Sequence, residues 1–343
     1  MAGEIVSRRS GLIRMRNSIE RRQFLATLAA LPAANSLLAQ EVRDGMIYRN
    51  LGATGQRVSA IGLGGYHIGV PEETAGIRLI RSAIDRGITF LDNSCDYHEG
   101  GSEMTMGKAL RDGYREKVFL MTKFNGRTRA KTAEQIDTSL KRLQTDHIDL
   151  IQFHENIRTT DPERFFAPGG AHEAVTAAKK AGKVRFIGFT GHKDPSIHLL
   201  MLAKAQQNGF HFDTCQMPLN VLDYHFRSFA HEVVPKLIEQ RIGVLGMKPM
   251  ASGIVFQSGA PVTGIECLHY ALNLPTSVVI TGCENEDRLN QAMEAAHTFK
   301  PMTQSQLATL VAKTRQYAVS GKYEPFKTTE NFDGTTHDPA SMG

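Results

Sequence analysis

Residues 88–93, ITFLDN, form a short apolar run that ends in the polar pair Asp92-Asn93. Seven similar runs occur elsewhere in the chain: VSAIGLG (58–64), VFLMTK (118–123), IDLIQFH (148–154), VRFIGFTG (184–191), FDTCQM (212–217), IGVLGMKP (242–249) and SVVITG (277–282). Runs of this length that are rich in β-branched residues are typical of strands buried on both faces of a parallel sheet. The chain is therefore predicted to contain eight such strands.

Helical patterns separate most of these runs, and they are clearest at residues 74–87, 132–143 and 194–209. Thr132 is the predicted N-cap of the second helix, and Asp194 followed by Pro195 opens the third. Eight strand–helix units over roughly 240 residues predict an α/β fold of the (β/α)8 TIM-barrel type. A doubly wound open sheet is the alternative, but no G-x-G-x-x-G motif follows the first strand.

Three segments lie outside the alternating pattern: a turn-rich stretch at 47–59, an apolar periodic stretch at 303–319 and a polar tail at 321–343. We expect the first to be a β-hairpin that closes the barrel floor and the second to be an extra C-terminal helix. The tail carries Tyr323, Phe326 and Phe332, so we expect it to pack over the barrel mouth. The predicted domains are an export segment at 1–40, the barrel at 41–300, and the C-terminal helix and tail at 301–343.

The charge of the chain is concentrated at its N-terminus. Of the formal net charge of +5, a net +4 lies in residues 1–40, where six arginines face two glutamates. The remaining residues are close to neutral, so no basic surface is implied and we expect no nucleic-acid partner. The composition, 41% hydrophobic and 22% charged, is that of an ordinary globular protein with a sizeable core.

The N-terminal segment has the features of a removable export signal. Arg21-Arg22 precedes an alanine-rich apolar run at residues 24–40 that is too short for a good transmembrane helix. The pattern RR-x-F-L resembles a twin-arginine (Tat) signal peptide, although Glu20 stands where Ser or Thr is usual. The resemblance implies a bacterial protein that the Tat machinery exports to the periplasm or beyond, with no integral membrane association of the mature chain. A frayed amphipathic tail is the alternative.

Motifs for disulfide or metal chemistry are missing from the sequence. The chain has four cysteines: Cys95, Cys215, Cys267 and Cys283. None belongs to a C-x-x-C pair, so we expect small core or loop residues. His154-Glu155 begins like an H-E-x-x-H zinc motif, but Arg158 stands where the second histidine is required. We therefore predict no bound metal.

Polar residues stand at the carboxyl ends of six predicted strands: Asp92, Lys123, His154, Thr190, Gln216 and Lys248. In a (β/α)8 barrel these ends meet at one mouth, where active sites lie. Tyr97, five positions after Asp92, joins this group. A lone strand-end histidine or aspartate is usually structural, whereas an acid, a phenol, a lysine and an imidazole together indicate a site. The predicted catalytic set is Asp92, Tyr97, Lys123 and His154.

This set suits proton donation to a carbonyl oxygen. The ammonium of Lys123 is expected to lower the pKa of Tyr97, and Asp92 is expected to keep that ammonium in place. His154 can hydrogen-bond the same carbonyl oxygen and share its developing charge. None of these side chains can supply two electrons, so a hydride must come from a cofactor.

Six segments resemble the aldo-keto reductase family, over about residues 47–300: YRNLGATGQRVSAIGLGG (48–65), LDNSCDYHEGGSE (91–103), MTK (121–123), HIDLIQFH (147–154), GKVRFIGFTG (182–191) and NEDRLNQA (285–292). The resemblance implies a TIM-barrel enzyme that binds NADP or NAD across the barrel top and interconverts a carbonyl and an alcohol. It assigns the family's catalytic positions to Asp92, Tyr97, Lys123 and His154.

The resemblance also implies the cofactor-binding residues: Thr190 and Gln216 at the carboxamide, Met247 beside the nicotinamide with Lys248 next to it, Gly282, and Arg288 near the adenosine phosphate. Three positions depart from the family pattern. Gly191 replaces an Asn that holds the carboxamide, Met247 replaces a stacking aromatic residue, and Gly282 replaces the usual Lys for the 2′-phosphate. His192 is the candidate to restore the carboxamide bond. The change at Gly282 makes the preference between NADP and NAD an open question.

The main hypothesis is an exported NAD(P)H-dependent reductase that acts on a small carbonyl or alcohol compound, with Tyr97 as proton donor. Two alternatives remain open. One is a dinucleotide-binding sensor or regulatory subunit with little turnover, which the changes at Gly191 and Met247 favour. The other is a cofactor-free exported barrel that binds sugars or aldehydes.

Overall fold

The structure, a computed structural model, describes residues 40–343. Its strands are β1 (Gln40–Arg43), β2 (Met46–Asn50), β3 (Arg57–Ser59), β4 (Ile61–Gly64), β5 (Phe90–Asp92), β6 (Phe119–Phe124), β7 (Ile148–Phe153), β8 (Val184–Thr190), β9 (Thr214–Pro218), β10 (Gly243–Met247) and β11 (Val278–Gly282). Strands β4 to β11 form a closed parallel barrel, which β11 completes by pairing with β4. Each of the eight predicted runs supplies one barrel strand, so the predicted TIM barrel is confirmed.

The described helices are α1 (Gly65–Ile68), α2 (Glu73–Asp85), α3 (Gly101–Ala109), α4 (Arg129–Leu143), α5 (Asp161–Phe166), α6 (Ala171–Lys180), α7 (Pro195–Gln207), α8 (Phe229–Glu232), α9 (Val234–Glu239), α10 (Ile254–Gln257), α11 (Gly264–Asn273), α12 (Glu286–Thr298), α13 (Gln304–Thr314), α14 (Pro325–Thr328) and α15 (Gly334–His337). Helix α7 has the predicted Asp194 cap. The predicted Thr132 cap of α4 is wrong, because the helix starts a turn earlier and Thr128 caps it through the backbone N–H of Lys131. Thr132 lies inside the helix, fully buried.

The predicted hairpin closes the barrel floor. Strands β2 and β3 pair in antiparallel register, with Tyr48 opposite Ser59, and β1 adds a third strand that begins at Gln40. Leu51 and Val58 are buried in one apolar cluster with residues from the amino-terminal ends of the barrel strands, such as Phe90. This cluster leaves the opposite, carboxyl-terminal end of the barrel as the place for a site. The rest of the predicted export segment lies outside the described residues.

The C-terminal helix is present as α13, and the tail that follows it crosses the barrel mouth. Phe326 is fully buried, and Tyr323 and Phe332 pack partly buried against the core. Further along, Asp333 is bonded to the loop after β8, and the carbonyl of Met342 accepts from the backbone N–H of Arg127, after β6. The tail is therefore held by loops on several sides of the mouth.

A buried ionic cluster anchors the start of this tail. The ammonium of Lys327 donates to Asp223 Oδ1 at 2.7 Å and to Glu324 Oε2 at 3.1 Å, and Asn220 Nδ2 donates to Glu324 Oε1 at 3.1 Å. Asp223 and Asn220 lie in the loop after β9. All four side chains are buried, so the tail and this loop pack as one unit.

The four cysteines are all buried and free, as expected for core and loop residues. None of the helices within residues 40–343 is long and apolar enough to cross a membrane.

Candidate active site

Three of the predicted catalytic side chains are in direct contact at the barrel mouth. The Lys123 ammonium donates to Asp92 Oδ1, to the carbonyl of Asn93 at 2.7 Å, and to the Tyr97 hydroxyl at 3.1 Å. Asp92 ends β5 and Lys123 lies in β6, so the pairing of these strands brings the two charges together. Lys123 and Asp92 are 1% and 3% exposed, so the ion pair orients the ammonium toward the phenol in a water-poor site.

Tyr97 is positioned by a tight turn. It begins a short 3₁₀ turn, Tyr97–Gly100, in which His98 and Glu99 have φ values of 52° and 56°. The Arg142 guanidinium braces this turn from α4 by donating to the carbonyl of Glu99 at 3.3 Å. Left-handed φ values at residues other than glycine cost energy and persist where the surroundings hold them. The turn keeps the phenol over the mouth.

The phenol of Tyr97 is held in its neutral form. Burial raises the pKa of Tyr97 well above its ordinary value of 10.0, and the carboxylates of Asp92 and Asp96 raise it further. The expectation of a lowered Tyr97 pKa is therefore wrong, because desolvation and the surrounding carboxylates raise it. The lysine instead lies where it can stabilise a phenolate after the proton has left.

His154 reaches the same mouth from the end of β7. Its ring centre is 6.0 Å from that of Tyr97. Its Nδ1 lies 2.8 Å from Asn125 Oδ1, 3.3 Å from Ser94 Oγ and 3.4 Å from Asp96 Oδ2. These contacts engage Nδ1 and leave Nε2 as the ring nitrogen for a bound group.

Thr190 and Gln216 lie side by side, because β8 and β9 pair them in register. Gln216 Nε2 donates to Asp92 Oδ2 at 3.0 Å, whereas its Oε1 is buried without a hydrogen-bond partner in residues 40–343. A buried amide oxygen that lacks a donor fits a ligand that brings an N–H group, such as the carboxamide of a nicotinamide. The residues present therefore fit the dinucleotide that the family resemblance implies.

The neighbouring residues Gly191 and His192 are both closely packed in the structure. A Cβ at Gly191 would lie 2.3 Å from the carbonyl oxygen of Asn156, so the backbone there is too close for a side chain. His192 Nε2 is bonded to Asp333 Oδ1 of the tail at 2.9 Å. His192 therefore serves the contact between tail and barrel.

Met247 ends β10 at the mouth and Lys248 follows it, and both are half-buried. The Lys248 ammonium lies 5.7 and 5.3 Å from the ring centres of Phe326 and Phe332, within reach of a cation–π interaction. Burial, together with the nearby charge of Lys123, lowers the pKa of Lys248 to about 8. Two cations thus face the mouth from opposite sides of the barrel, Lys123 from β6 and Lys248 from the end of β10.

Gly282 and Arg288 lie at the edge of the site. The ring of His67 occupies the space above Gly282, where an added Cβ would approach it to 2.2 Å. Glu284 Oε2 is 3.5 Å from His67 Nδ1, and its Oε1 is 3.6 Å from Arg288 Nε. Arg288 is exposed in the first turn of α12, so it is not in contact with the catalytic set.

Sequence reasoning missed the residues that fasten the tail. Glu155 accepts from the backbone N–H groups of Gly334 at 2.8 Å and Thr335 at 2.7 Å, and from the Thr335 hydroxyl at 2.6 Å. Asp333 bonds to His192 and, at 2.8 Å, to Lys193. Glu155 was visible only as part of a failed zinc motif, because its partners are 180 positions away in the chain. Within residues 40–343, no group of three or more His, Cys, Asp or Glu residues is arranged to hold a metal ion.

Comparison with known proteins agrees with this geometry. A model of the Aldo/keto reductase family matches residues 60–264, which include all four predicted catalytic positions. The chain belongs to the aldo/keto reductase family. The matched residues run from the first barrel strand to α11, so membership rests on most of the barrel and not on one motif.

Named relatives share about a third of their aligned residues with the chain. Aldo-keto reductase YhdN of Bacillus subtilis (strain 168) is 32% identical over 226 residues, which span 61% of this chain and 64% of YhdN. L-galactose dehydrogenase of Arabidopsis thaliana is 30% identical over 228 residues, or 62% of this chain and 68% of that protein. The holo form of aldo-keto reductase AKR11C1 from Bacillus halodurans superposes with a TM-score of 0.66 at 23% identity, covering 81% of this chain and 99% of that one, and so shows the fold.

Proposed function

We propose that the protein is an NAD(P)-dependent oxidoreductase that interconverts an aldehyde or ketone and an alcohol, with Tyr97 as the proton donor. The observation that carries the proposal is the Lys123 ammonium, which is bonded both to Asp92 and to the Tyr97 hydroxyl in the barrel mouth. When bound, the nicotinamide cofactor supplies the hydride that these side chains cannot.

Tyr97, Lys123 and Gln216 have separate roles in the proposed reaction. Tyr97 keeps its proton at physiological pH, because burial raises the pKa of the phenol. As that proton moves to a substrate oxygen, the Lys123 ammonium stabilises the phenolate that remains. Gln216 links the catalytic residues to the cofactor site. Its Nε2 donates to Asp92, and its Oε1 can accept a hydrogen bond from a bound carboxamide.

Turnover with a substrate panel tests the activity. Purified protein is incubated with NADPH or NADH and a set of aldehydes and ketones, and the loss of reduced-nicotinamide absorbance is followed. We expect reduction of at least one carbonyl class. If the protein binds the dinucleotide tightly but reduces none of the carbonyl compounds, the result would support the alternative function of a sensor or regulatory subunit. The hydrogen bonds that hold the tail across the barrel mouth favour the sensor or regulatory function, since a covered mouth restricts the exchange of ligands.

The proposed cofactor preference follows from the edge of the site. A charged hydrogen bond to the 2′-phosphate of NADP is worth roughly 1.5–3 kcal/mol, and Gly282 offers none. Arg288 shares its charge with Glu284, whose carboxylate also disfavours an approaching phosphate. We therefore expect a preference for NADPH over NADH of about tenfold or less.

Dissociation constants for the two reduced dinucleotides test this preference. A hundredfold preference for NADPH would show that another residue replaces the missing lysine. Gly282→Lys should sharpen the discrimination only when combined with His67→Ala, because the His67 ring fills the space that the new side chain needs. His67→Ala alone is the matched control.

We propose that the protein is exported in folded form by the Tat route. The support is the Arg21-Arg22 pattern, together with the need of a dinucleotide enzyme to carry its cofactor out of the cytoplasm. Arg21→Lys with Arg22→Lys should leave loaded, folded protein in the cytoplasm, and protein rerouted by a general secretory signal should arrive empty. Equal loading of native and rerouted protein would contradict the proposal.

A further inference from the structure

The residues around His154 dictate which of its ring nitrogens carries a proton. The Asn125 amide lies between His154 and Asp96: its Nδ2 donates to Asp96 Oδ2 at 3.0 Å, and its Oδ1 faces His154 Nδ1 at 2.8 Å. A carboxylate accepts hydrogen bonds but does not donate them, so Asp96 fixes which end of the amide points toward the ring. An amide oxygen also only accepts. Nδ1 must therefore be the protonated nitrogen.

This tautomer has a consequence for the mouth. When Nδ1 carries the proton of the neutral ring, Nε2 is bare and can only accept a hydrogen bond. A substrate carbonyl oxygen also only accepts, so neutral His154 cannot assist carbonyl reduction. The charged imidazolium can, because both of its nitrogens donate. The Asp96 carboxylate lies 3.4 Å from Nδ1, where its negative charge compensates that of the imidazolium.

We propose that Asp96, acting through Asn125, is a positioning residue that makes His154 an imidazolium hydrogen-bond donor to the carbonyl oxygen. This inference rests on the proposed carbonyl reduction. Tyr97 then transfers the proton, and His154 supplies a second, charged hydrogen bond at the same oxygen. In the alcohol-oxidising direction the neutral ring is the useful form, since bare Nε2 can accept from the alcohol hydroxyl.

Asp96 itself has the properties that this role requires. Burial acts to raise the pKa of Asp96, but the His154 charge and hydrogen bonds from His154, Ser94 and Asn125 outweigh burial and hold the pKa below its ordinary value of 3.8. The carboxylate therefore stays ionised over the working pH range. Other charged or titratable groups that face this part of the mouth are Tyr97, Asp92, Lys123, Arg127, Glu155 and Lys248.

The pH profile of carbonyl reduction separates a positioning role from a merely structural one. In Asp96→Asn, the pH above which kcat/KM falls should drop by roughly one unit, because an opposite charge within a few ångströms favours the charged form. At pH values above the midpoints of both proteins, kcat/KM of Asp96→Asn should be about tenfold lower than that of the wild type, since one pH unit is a factor of ten in the protonated fraction. Well below both midpoints the two values should be close. In Asp96→Glu, which keeps the negative charge, the pH midpoint of kcat/KM should lie closer to the wild-type value than it does in Asp96→Asn. Glu99→Gln, an equal charge change in the same turn at an exposed residue, is the matched control.

Nitrogen-15 NMR of the histidine rings tests the same point without turnover. We expect the His154 ring, identified by loss of its signals in His154→Gln, to carry its proton on Nδ1 in the neutral form. Dinucleotide affinity should be unchanged in Asp96→Asn. An unshifted midpoint with activity lowered at every pH, or a neutral ring protonated at Nε2, would overturn the inference. If no carbonyl is reduced, the proposed function fails, while the NMR result still decides the role of Asp96.

Discussion

Among the single residues of the site, Lys123 makes the two contacts on which the proposed chemistry depends. The Lys123 ammonium neutralises Asp92 inside the barrel and also contacts the Tyr97 hydroxyl. Both charged groups are almost fully buried, so each depends on the other for its stability. Removing one member of a buried pair leaves an uncompensated charge and typically costs about 3–5 kcal/mol.

Lys123→Met is therefore expected to lower the free energy of unfolding by about 3–5 kcal/mol, as measured by urea denaturation. Adding Asp92→Asn should recover part of the loss, because the buried carboxylate charge is then removed. Lys108→Met breaks an exposed ion pair with Glu73 and should cost less than about 1 kcal/mol. A similar small loss for Lys123→Met would mean that Asp92 finds other compensation.

At the scale of structural elements, the sequence predicted the barrel well and the tail contacts poorly. The eight apolar runs map onto β4 to β11 because a strand buried on both faces has a nearly continuous apolar sequence. The α4 cap was misplaced, since Thr128 and Thr132 are one helical turn apart and both are plausible caps. Asp96, Asn125 and Glu155 were missed because their roles arise from partners in other elements of the barrel mouth.

The contact between Glu155 and α15 is the element-scale feature that holds the tail across the mouth. Glu155→Gln replaces one carboxylate oxygen with an NH2 group, which faces donors and cannot accept from them. Charged hydrogen bonds are worth about 1.5–3 kcal/mol each, so hydrogen-exchange protection of the Gly334 and Thr335 amides should fall on the order of tenfold or more.

Glu330→Gln makes the same charge change at an exposed position of the tail and serves as the control. Unchanged protection in Glu155→Gln would show that the ionic cluster around Lys327 is sufficient to hold the tail. Protection lost equally in both variants would point to a general effect of charge.

At the scale of the whole molecule, the tail anchor makes stability depend on pH. Burial and the nearby Asp223 carboxylate raise the pKa of Glu324 to about 7, against the opposing effect of the Lys327 ammonium. The folded protein therefore keeps a proton that the unfolded chain releases near its ordinary pKa of 4.5. Because the folded state binds more protons between these values, stability from this group falls as pH rises from about 4.5 to about 7.

Urea denaturation at a series of pH values measures this dependence. We expect Glu324→Gln to flatten the decrease between pH 4.5 and 7 by about 1–3 kcal/mol, since a shift of one pKa unit corresponds to about 1.4 kcal/mol. Glutamine is the uncharged counterpart of the protonated Glu324 side chain and keeps one oxygen that can accept from Asn220 or Lys327, so the fold should survive. A slope that is the same in both proteins would assign the pH dependence to other groups.

We propose that the Tyr97 phenol transfers the proton in a dinucleotide-dependent carbonyl reduction. The direct measurement is single-turnover reduction by Tyr97→Phe beside its affinity for the reduced dinucleotide. General acid catalysis typically contributes 10²–10⁴-fold, so we expect the reduction rate to fall on the order of a hundredfold or more while the dissociation constant stays close to wild type. A near-normal reduction rate in Tyr97→Phe would show that Tyr97 is not the proton donor.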